Sequence, residues 1–271
     1  MIMANFLKAR KSVRDFKNKE ISVEKLENVN EMLENLVEDD ELKKNVVFKL
    51  FENGKFIYDS LKGVSGYSGV MIESPHYIAM DFKNKEDITK IYGAYYSEKL
   101  ITELNEMGIE TCWVSVNDID YNTIRKVFGE GAKNVEFILA IGYSKARNPF
   151  LQEPFSERLG VEDLVYDKVL NRHLDIDELE RRGLGDIFFY IRFAPSIKNL
   201  QPWRFVLEDN KVELYVKFEE GNEPPLIDAG IIMYYFEMLA LYLGIRNKWV
   251  LGDGVKEDKG EYYRYIGEYH L

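Results

Sequence analysis

The sequence of 271 residues contains one cysteine, three histidines and seven prolines. The single cysteine, Cys112, excludes an intramolecular disulfide and fits a reducing compartment. The histidines are scattered without the short spacing that zinc ligands show, which argues against a metal site. Neither a G-x-G-x-x-G nor a G-x-x-x-x-G-K-[ST] pattern is present, so neither a dinucleotide-binding fold nor a P-loop is indicated.

The chain also lacks a long apolar run and an excess of positive charge. Its longest apolar stretch, AGIIMYYFEMLALYLGI, is interrupted by Glu237 and falls short of the roughly 20 residues that a membrane span needs. The first residues, MIMANFLKARKSVRDF, are too charged for a secretion signal. The formal net charge of −11 opposes non-specific binding to nucleic acid or anionic lipid. We therefore expect a soluble, cytoplasmic protein with neither a nucleic-acid nor a membrane partner.

The chain has enough apolar and aromatic residues to bury a substantial core. Hydrophobic residues make up 46% of the sequence and aromatic residues 14%, with no repetitive or low-complexity tract. This composition predicts an ordered protein, either one large domain or two smaller ones.

The two halves of the sequence resemble each other at a nearly constant offset. GIETCWV begins at Gly108, and GIRNKWV begins 136 residues later at Gly244. At the same offset, HYIAMDF (76–82) aligns with VELYVKF (212–218). An ancestral duplication explains why pattern, glycine and tryptophan agree together; chance similarity of short segments is the alternative.

Hydrophobic periodicity predicts helices and strands in both halves. ISVEKLENVNEMLENL predicts a helix capped by Ser22, and Tyr92 to Met107 predict an amphipathic helix that ends at Gly108. VMIES and HYIAMDF are predicted to be strands, and NVEFILAIGY a central strand. Residues 230–243 are apolar nearly all round, which predicts a helix in the interior. Two α+β halves that share a helical interface are the simplest architecture.

Each half carries one distinctive motif that the other lacks. RKSVRDF (10–16) in the first half aligns with NPFLQEP, where both arginines of the motif are missing. PSIKNLQPW (195–203) in the second half aligns with DSLKGVSGY, which lacks the amides and the Pro-Trp pair. The two motifs are therefore complementary.

Four segments resemble landmarks of the FMN-dependent nitroreductase family. They are RKSVRDF, APSIKNLQPWRF, GIETCWV and AIGYS, and the second is the most specific. Proteins of that family are usually homodimers in which FMN lies at the subunit interface, between the first segment of one subunit and the second segment of the other. The resemblance implies an α+β, nitroreductase-like fold with mixed or antiparallel sheets, in which two duplicated halves (1–147 and 148–271) form an intertwined pseudo-dimer within one chain.

The resemblance also implies about one FMN site per chain, with the mirror-image site degenerate. The residues that it assigns to FMN are Arg10, Lys11, Ser12 and Arg14 in the first segment, Pro195, Ser196, Asn199 and Gln201 in the second, and Arg147 after AIGYS.

The chemistry of these side chains suits a flavin nucleotide. A guanidinium fork matches two phosphate oxygens, and a serine hydroxyl adds a donor. Lys145 and Arg147 follow AIGY and are positioned in the sequence to complete the cationic cluster. The flavin ring has an amide-like edge, for which Asn199 offers both a donor and an acceptor.

Simpler structural interpretations remain open for each motif. RKSVRDF is also compatible with a solvated helix end, and PSIKNLQPW with a turn between a helix and a strand. Trp113, Trp249 and Trp203 are expected in the core, and Cys112 is expected to be a buried, inert thiol.

The resemblance implies an FMN-dependent NAD(P)H oxidoreductase. Hydride transfer in a ping-pong cycle would reduce a small electron-poor acceptor such as a nitroaromatic or a quinone, without a dedicated catalytic side chain. One alternative is a non-catalytic flavin-binding or redox-sensing protein. Another is an interaction module that binds no flavin.

Overall fold

The computed structural model describes residues 10–66, 70–116, 119–146 and 157–271. These residues divide into two compact units, residues 10–146 and residues 157–271. Each unit combines helices with a sheet, so the predicted α+β class is confirmed.

The first unit contains five helices and four strands among its described residues. In chain order they are α1 (Val23–Asn35), α2 (Asp40–Asn45), β1 (Val46–Phe51), α3 (Gly54–Leu61), β2 (His76–Phe82), α4 (Asp87–Glu106), β3 (Glu110–Ser115), α5 (Tyr121–Phe128) and β4 (Val135–Gly142).

The four strands form a sheet in the order β1-β2-β4-β3, and each neighbouring pair is antiparallel. Strand β4 is internal, and all but one of its residues are buried, as its apolar sequence predicted. Every residue of β2 is buried as well. Strand β3 lies at the edge of the sheet, where a further segment of chain can pair with it.

The predicted strand VMIES is absent, and β1 is the strand that pairs with β2 at this edge. Tyr77 explains why residues 71–74 do not pair as a strand. Its hydroxyl donates to the carbonyl of Ile72 and accepts the backbone N–H of Ser74. Pro75 then follows without an N–H of its own. Two backbone groups of this segment are therefore satisfied by a side chain.

Helix α1 begins after Ser22 and buries Leu26 and Val29, as predicted, although the Ser22 side chain makes no capping hydrogen bond. Helix α4 ends where expected, before Gly108, which has a φ of 72°. The expectation that α4 is amphipathic is wrong, because its residues 91–101 are all buried or half-buried. The helix is enclosed on every side along this stretch.

The second unit is built from shorter helices and a larger sheet. Its elements are α6 (Val161–Leu164), β5 (Val165–Asp167), β6 (Arg172–His173), α7 (Ile176–Arg181), α8 (Gly185–Ile191), a 3₁₀ turn (Ile197–Asn199), β7 (Trp203–Glu208), β8 (Lys211–Phe218), α9 (Leu226–Tyr242), β9 (Val250–Leu251), β10 (Val255–Asp258) and β11 (Glu261–His270).

The strands of this sheet follow the order β10-β11-β8-β7-β5-β6, and β9 also pairs with β11. Within this sheet, the β5–β7 pair is parallel and the other pairs of described strands are antiparallel. The first eleven residues of α9 are all buried, which confirms the interior helix that its apolar sequence predicted. The sheet is thus mixed, and the sheet of the first unit is antiparallel.

Aromatic side chains fill the core of the second unit. The ring of Phe236 stacks on that of Phe205 at 5.7 Å and packs edge-on against Trp249 at 5.2 Å. Trp203 and Trp249 are buried as predicted, whereas Trp113 of the first unit is only half-buried. Within the described residues, no helix is both long enough and apolar enough to cross a membrane.

Candidate functional site

The basic segment of residues 10–17 is extended and pairs with the sheet of the first unit. Ser12 forms a parallel bridge with Thr111 of β3, and Phe16 forms an antiparallel bridge with Ser144, just beyond β4. The Val13 N–H donates to the Thr111 carbonyl at 2.9 Å. Three of the four sequence landmarks, RKSVRDF, GIETCWV and AIGYS, therefore lie side by side. Because the first of them is extended, its interpretation as a helix end is wrong.

The segment is anchored by its apolar residues. Val13 and Phe16 are each 5% exposed and belong to the core under the sheet. Gly142, at the end of β4, makes room for this crossing: a Cβ there would lie 3.1 Å from the Phe16 ring and 3.0 Å from Pro75. The glycine of AIGYS thus permits this close packing without a shift of its neighbours. Residues 14 and 15, between the two anchors, are exposed.

Arg10 is turned inward, against a buried carboxylate. Its Nη2 donates to Glu98 Oε1 at 3.0 Å, and its Nε donates to Glu98 Oε2 at 3.4 Å. Its Nη1 donates to Ser12 Oγ at 2.9 Å. Glu98, on α4, also accepts the indole N–H of Trp113 at 2.8 Å. The side chains of Arg10 and Glu98 are 9% and 1% exposed, so this ion pair is largely withdrawn from water.

Arg14 differs from Arg10, because it is exposed and forms no ion pair with any residue of the described ranges. Lys145 lies beside the segment: its backbone N–H donates to the Asp15 carbonyl at 3.0 Å, and its ammonium group pairs with the Asp15 carboxylate at 2.7 Å. That carboxylate raises the pKa of Lys145. Glu110 holds the neighbouring Ser144 through both the backbone N–H and the hydroxyl. The exposed side of the basic segment thus carries the cationic side chains of Arg14 and Lys145, and pairing with the sheet fixes its backbone.

Cys112, on β3, is buried as predicted. Burial raises the pKa of its thiol, and the charges of Arg14 and Arg10 only partly oppose this effect. A thiol of this kind is not reactive at neutral pH.

In the second unit, residues 192–202 connect α8 to β7 through the 3₁₀ turn. Lys198, Asn199 and Gln201 have φ values of 52°, 58° and 48°, in the left-handed region that few non-glycine residues occupy. The Ser196 hydroxyl oxygen accepts the Gln201 N–H at 3.0 Å. The helix-to-strand interpretation is therefore correct as a description of the backbone, and several side chains hold the turn in a strained conformation.

The two amide side chains of this turn contact the incoming chain. The carbonyl of Glu157 accepts Nδ2 of Asn199 at 2.8 Å and Nε2 of Gln201 at 3.4 Å. The Gln201 side-chain oxygen accepts the N–H of Leu159 at 3.1 Å, and Gln201 is 4% exposed. Its amide is thus used internally. Asn199 is half-buried, and its side-chain oxygen accepts no donor among the described residues.

A buried carboxyl group lies against the same turn. Asp228, in the first turn of α9, is 1% exposed, and its Oδ1 accepts the Ile197 N–H at 3.0 Å. Burial raises the pKa of Asp228 to about 7, although this hydrogen bond acts in the opposite direction. The turn is therefore tied to the interior helix by an acid that titrates near neutral pH.

The structure thus groups the predicted residues into two sets. Arg10, Lys11, Ser12 and Arg14 lie together in the first unit, and Pro195, Ser196, Asn199 and Gln201 lie together in the second. Arg147 lies outside the described residues. The joint contact of both sets with one cofactor stays a prediction. No group of three or more potential metal ligands occurs within the parts of the chain that the structure describes.

Sequence reasoning missed three residues that shape these sets. Glu98 and Asp228 bind the two segments from buried helices, and the Glu157 carbonyl binds both amides. A partial signal existed for Asp228, which lies in the otherwise apolar first turn of α9 and therefore needs a buried hydrogen-bond partner. None existed for Glu98, because α4 carries three further acidic residues. The Glu157 contact is made by the backbone, so no residue type signals it.

Comparisons with known proteins bear on the family. The family model described as "Putative TM nitroreductase" matches residues 3–240. A crystal structure of a Thermotoga maritima MSB8 protein, described in similar terms, aligns with 97% of this chain and 93% of that chain, at 18% identity and a TM-score of 0.58. This likeness shows the fold.

Two further solved structures align with part of the chain. An FMN-bound nitroreductase from Bacteroides fragilis NCTC 9343 covers 57% of this chain and 94% of its own, at 19% identity and a TM-score of 0.45. The alignment with an FMN-dependent nitroreductase from Clostridium difficile R20291 covers 55% of this chain and 90% of that chain, at 23% identity and a TM-score of 0.44. A comparison with curated proteins found no match. Because the family model spans most of the sequence, the chain belongs to this nitroreductase family, as its four sequence landmarks predicted.

Proposed function

We propose that this chain is an oxidoreductase that binds about one FMN and passes reducing equivalents from NAD(P)H to a small electron-poor acceptor, such as a nitroaromatic or a quinone. Membership of the nitroreductase family supports an oxidoreductase. The observation that carries the FMN proposal is the exposed Arg14 guanidinium on a segment fixed by the sheet, with Ser12 and Lys145 beside it.

The first set of residues suits the phosphate. Arg14 is the cation best placed to meet an anion from solvent, because its charge is not cancelled by a described neighbour. Arg10 has its charge balanced by Glu98 and shares a hydrogen bond with Ser12, so its role is mainly to shape the segment. Lys11 and Arg147 are proposed as further phosphate contacts.

The second set suits the ring. Pro195 and Ser196 are half-buried at the start of the turn, and the left-handed residues that follow turn the backbone sharply. Asn199 keeps a side-chain oxygen for an N–H donor of the ring edge. Gln201 would act by supporting the turn, because its amide group is already bonded to the backbone at Glu157 and Leu159.

Matching topology supports two duplicated halves that form a pseudo-dimer. In the first unit, β2 leads through α4 to β3 and then β4, with β4 lying between β2 and β3. In the second unit, β8 leads through α9 to β9 and, after β10, to β11, and β11 pairs with both β8 and β9. The helices α4 and α9 end at residues 106 and 242, which keeps the offset found in the sequence. We propose the boundary between the halves near residue 147.

FMN, when bound, supplies the two-electron chemistry that connects a nicotinamide donor to an acceptor. The residues of the chain would hold and orient it, and no side chain is assigned as a dedicated acid or base. The two sets of residues lie in different halves, which supports a single complete site per chain.

The first test is the absorption spectrum of the purified protein, before and after anaerobic addition of NADH or NADPH. We expect a bound flavin whose visible absorbance is bleached by at least one nicotinamide. A bound flavin that neither nicotinamide bleaches, but that dithionite does, would favour a flavin-binding or redox-sensing protein. Protein that stays colourless with excess FMN would contradict the proposal altogether.

A further inference from the structure

A buried hydrogen-bond network connects helix α4 to the basic segment. Glu98 accepts the Nε and Nη2 groups of Arg10 and the indole N–H of Trp113, so its carboxylate joins three separate parts of the first unit. The Glu98 side chain is 1% exposed. A carboxylate at such a position is stabilised only by a matched cation and by further donors, and both are present.

The network also defines how Ser12 is presented. The Ser12 hydroxyl oxygen accepts a hydrogen bond from Nη1 of Arg10 at 2.9 Å. The arginine therefore fixes the direction in which this oxygen acts as an acceptor. The hydroxyl proton remains available to donate to another acceptor. Because Nε and Nη2 face Glu98, the orientation of the guanidinium, and with it that of Ser12, depends on the carboxylate.

We propose that Glu98 is a positioning residue for the phosphate of the flavin nucleotide. It locks Arg10, Arg10 orients Ser12, and the segment thereby presents Ser12 and Arg14 in the geometry that binds a phosphate. This inference rests on the proposed function, because it takes the basic segment to be the phosphate site. Arg14 supplies the charge, and the Glu98–Arg10 pair, which has no net charge, supplies the geometry.

The other half of the chain is consistent with this role. At the 136-residue offset that relates α4 to α9, the position of Glu98 is taken by Tyr234. The half without the basic motif therefore also lacks the carboxylate.

The test compares affinities for FMN and for riboflavin, which lacks the phosphate, by flavin-fluorescence titration of the full chain. Wild type is expected to prefer FMN. Glu98→Gln keeps the size of the side chain but removes its charge. We expect this variant to bind FMN about 10-fold more weakly, since it loses the orientation of a charge-assisted donor set, and to bind riboflavin as wild type does. Glu98→Asp, which restores the carboxylate on a shorter arm, should recover part of the preference.

Matched variants separate positioning from general effects. Glu106→Gln changes an exposed carboxylate at the end of the same helix and should leave both affinities unchanged. Arg14→Ala should abolish the preference for FMN. If Glu98→Gln does not fold, as judged by circular dichroism, Arg10→Lys gives the test instead. It keeps the charge but cannot reach Glu98 and Ser12 as a fork, so the preference for FMN should fall.

The outcomes distinguish the two proposals. A wild-type protein that binds no flavin, or that binds riboflavin as well as FMN, overturns the proposed phosphate site itself. A preference that Arg14→Ala removes but that Glu98→Gln and Arg10→Lys leave intact overturns the role of Glu98 alone. An increase in FMN affinity in Glu98→Gln would do the same, because it would identify the carboxylate as a competing charge.

Discussion

Asp228 shows how one buried group can set the pH dependence of this protein. Its carboxyl is 1% exposed and accepts one hydrogen bond within the described part of the chain, from the N–H of Ile197, so the charged form is poorly solvated. The resulting pKa of about 7 lies well above the ordinary value of 3.8. Between these two values the native state retains a proton that the unfolded state has lost, so stability decreases as the pH rises.

Asp228→Asn should remove this decrease while keeping an acceptor for Ile197. We expect the variant to gain on the order of 4 kcal/mol relative to wild type between pH 4 and pH 8, because the shift of about three pKa units disappears. Urea unfolding at several pH values measures this difference. Asp186→Asn, an exposed change in the same unit, is the control. A difference between Asp228→Asn and wild type that is constant with pH would contradict the assignment.

Arg14 and Asn199 test the two sides of the proposed site at the level of single side chains. Arg14→Ala should weaken FMN binding about 10- to 100-fold through the loss of charge-assisted bonds. For Asn199, with its φ of 58°, glycine is the suitable replacement because it removes the amide without adding backbone strain. Asn199→Gly should also lower retention of FMN on gel filtration. Arg181→Ala, at an exposed position in α7, should not. Wild-type retention in both test variants would mean that the site lies elsewhere.

At the level of elements, apolar patterns predicted the internal parts of the structure and failed at its edges. β4 and α9 have nearly continuous apolar sequences and are buried. VMIES has equally suitable residues, yet the Tyr77 hydroxyl bonds to two of its backbone groups, and Pro75, which follows it, has no N–H to pair. β1 takes the vacant edge of β2. Strand propensity depends on which partner is available, and the partner is a tertiary property.

The chain that follows the basic segment is attached to β2 by a histidine. His76 Nε2 accepts the N–H of Ile21 at 3.1 Å, so the proton must reside on Nδ1, which faces the Glu52 carbonyl at 2.8 Å. Burial lowers the pKa of His76, although Glu20 and Glu52 oppose the effect. Protonation would place a second N–H against that of Ile21 and break this attachment.

We expect acid to weaken the attachment of residues 17–22. Because the folded pKa is below the ordinary 6.5, the contribution of His76 to stability is complete above that value and is lost as the pH falls below it. Hydrogen exchange of the Ile21 amide should therefore accelerate between pH 6.5 and pH 5, beyond the intrinsic change. His76→Gln, which keeps a side-chain acceptor, should lack this acceleration, and His173→Gln should retain it. Equal protection of the Ile21 amide across this range in wild type would contradict the mechanism.

At the level of the whole molecule, the complementary motifs limit the number of sites. The basic segment occurs only in the first half and the Pro-Ser turn only in the second. The proposed pseudo-dimer would have one complete set of ligands, whereas a homodimer of chains that each carry both motifs would have two.

Flavin extraction after saturation and gel filtration should therefore give about one FMN per chain. The reason is that the aligned positions in the opposite halves lack the arginines and the amides. The extracted flavin is quantified by absorbance and divided by the protein concentration from amino-acid analysis. Arg14→Ala should leave no residual tight site. Two flavins per chain would refute the complementarity of the halves.

The sequence by itself determined the family, the α+β class, the interior strand and helix, and the two motifs, because each of these depends on residues close together in the chain. Only the tertiary structure decided how similar side chains differ. Arg10 and Arg14 stand four residues apart in one motif, yet Arg10 is paired with Glu98, 88 residues away, and Arg14 remains exposed. The pKa of Asp228 likewise depends on its burial against a turn 31 residues earlier in the chain. Burial and long-range pairing decide whether a side chain is charged and whether that charge is balanced by a neighbour. No local sequence pattern specifies either one.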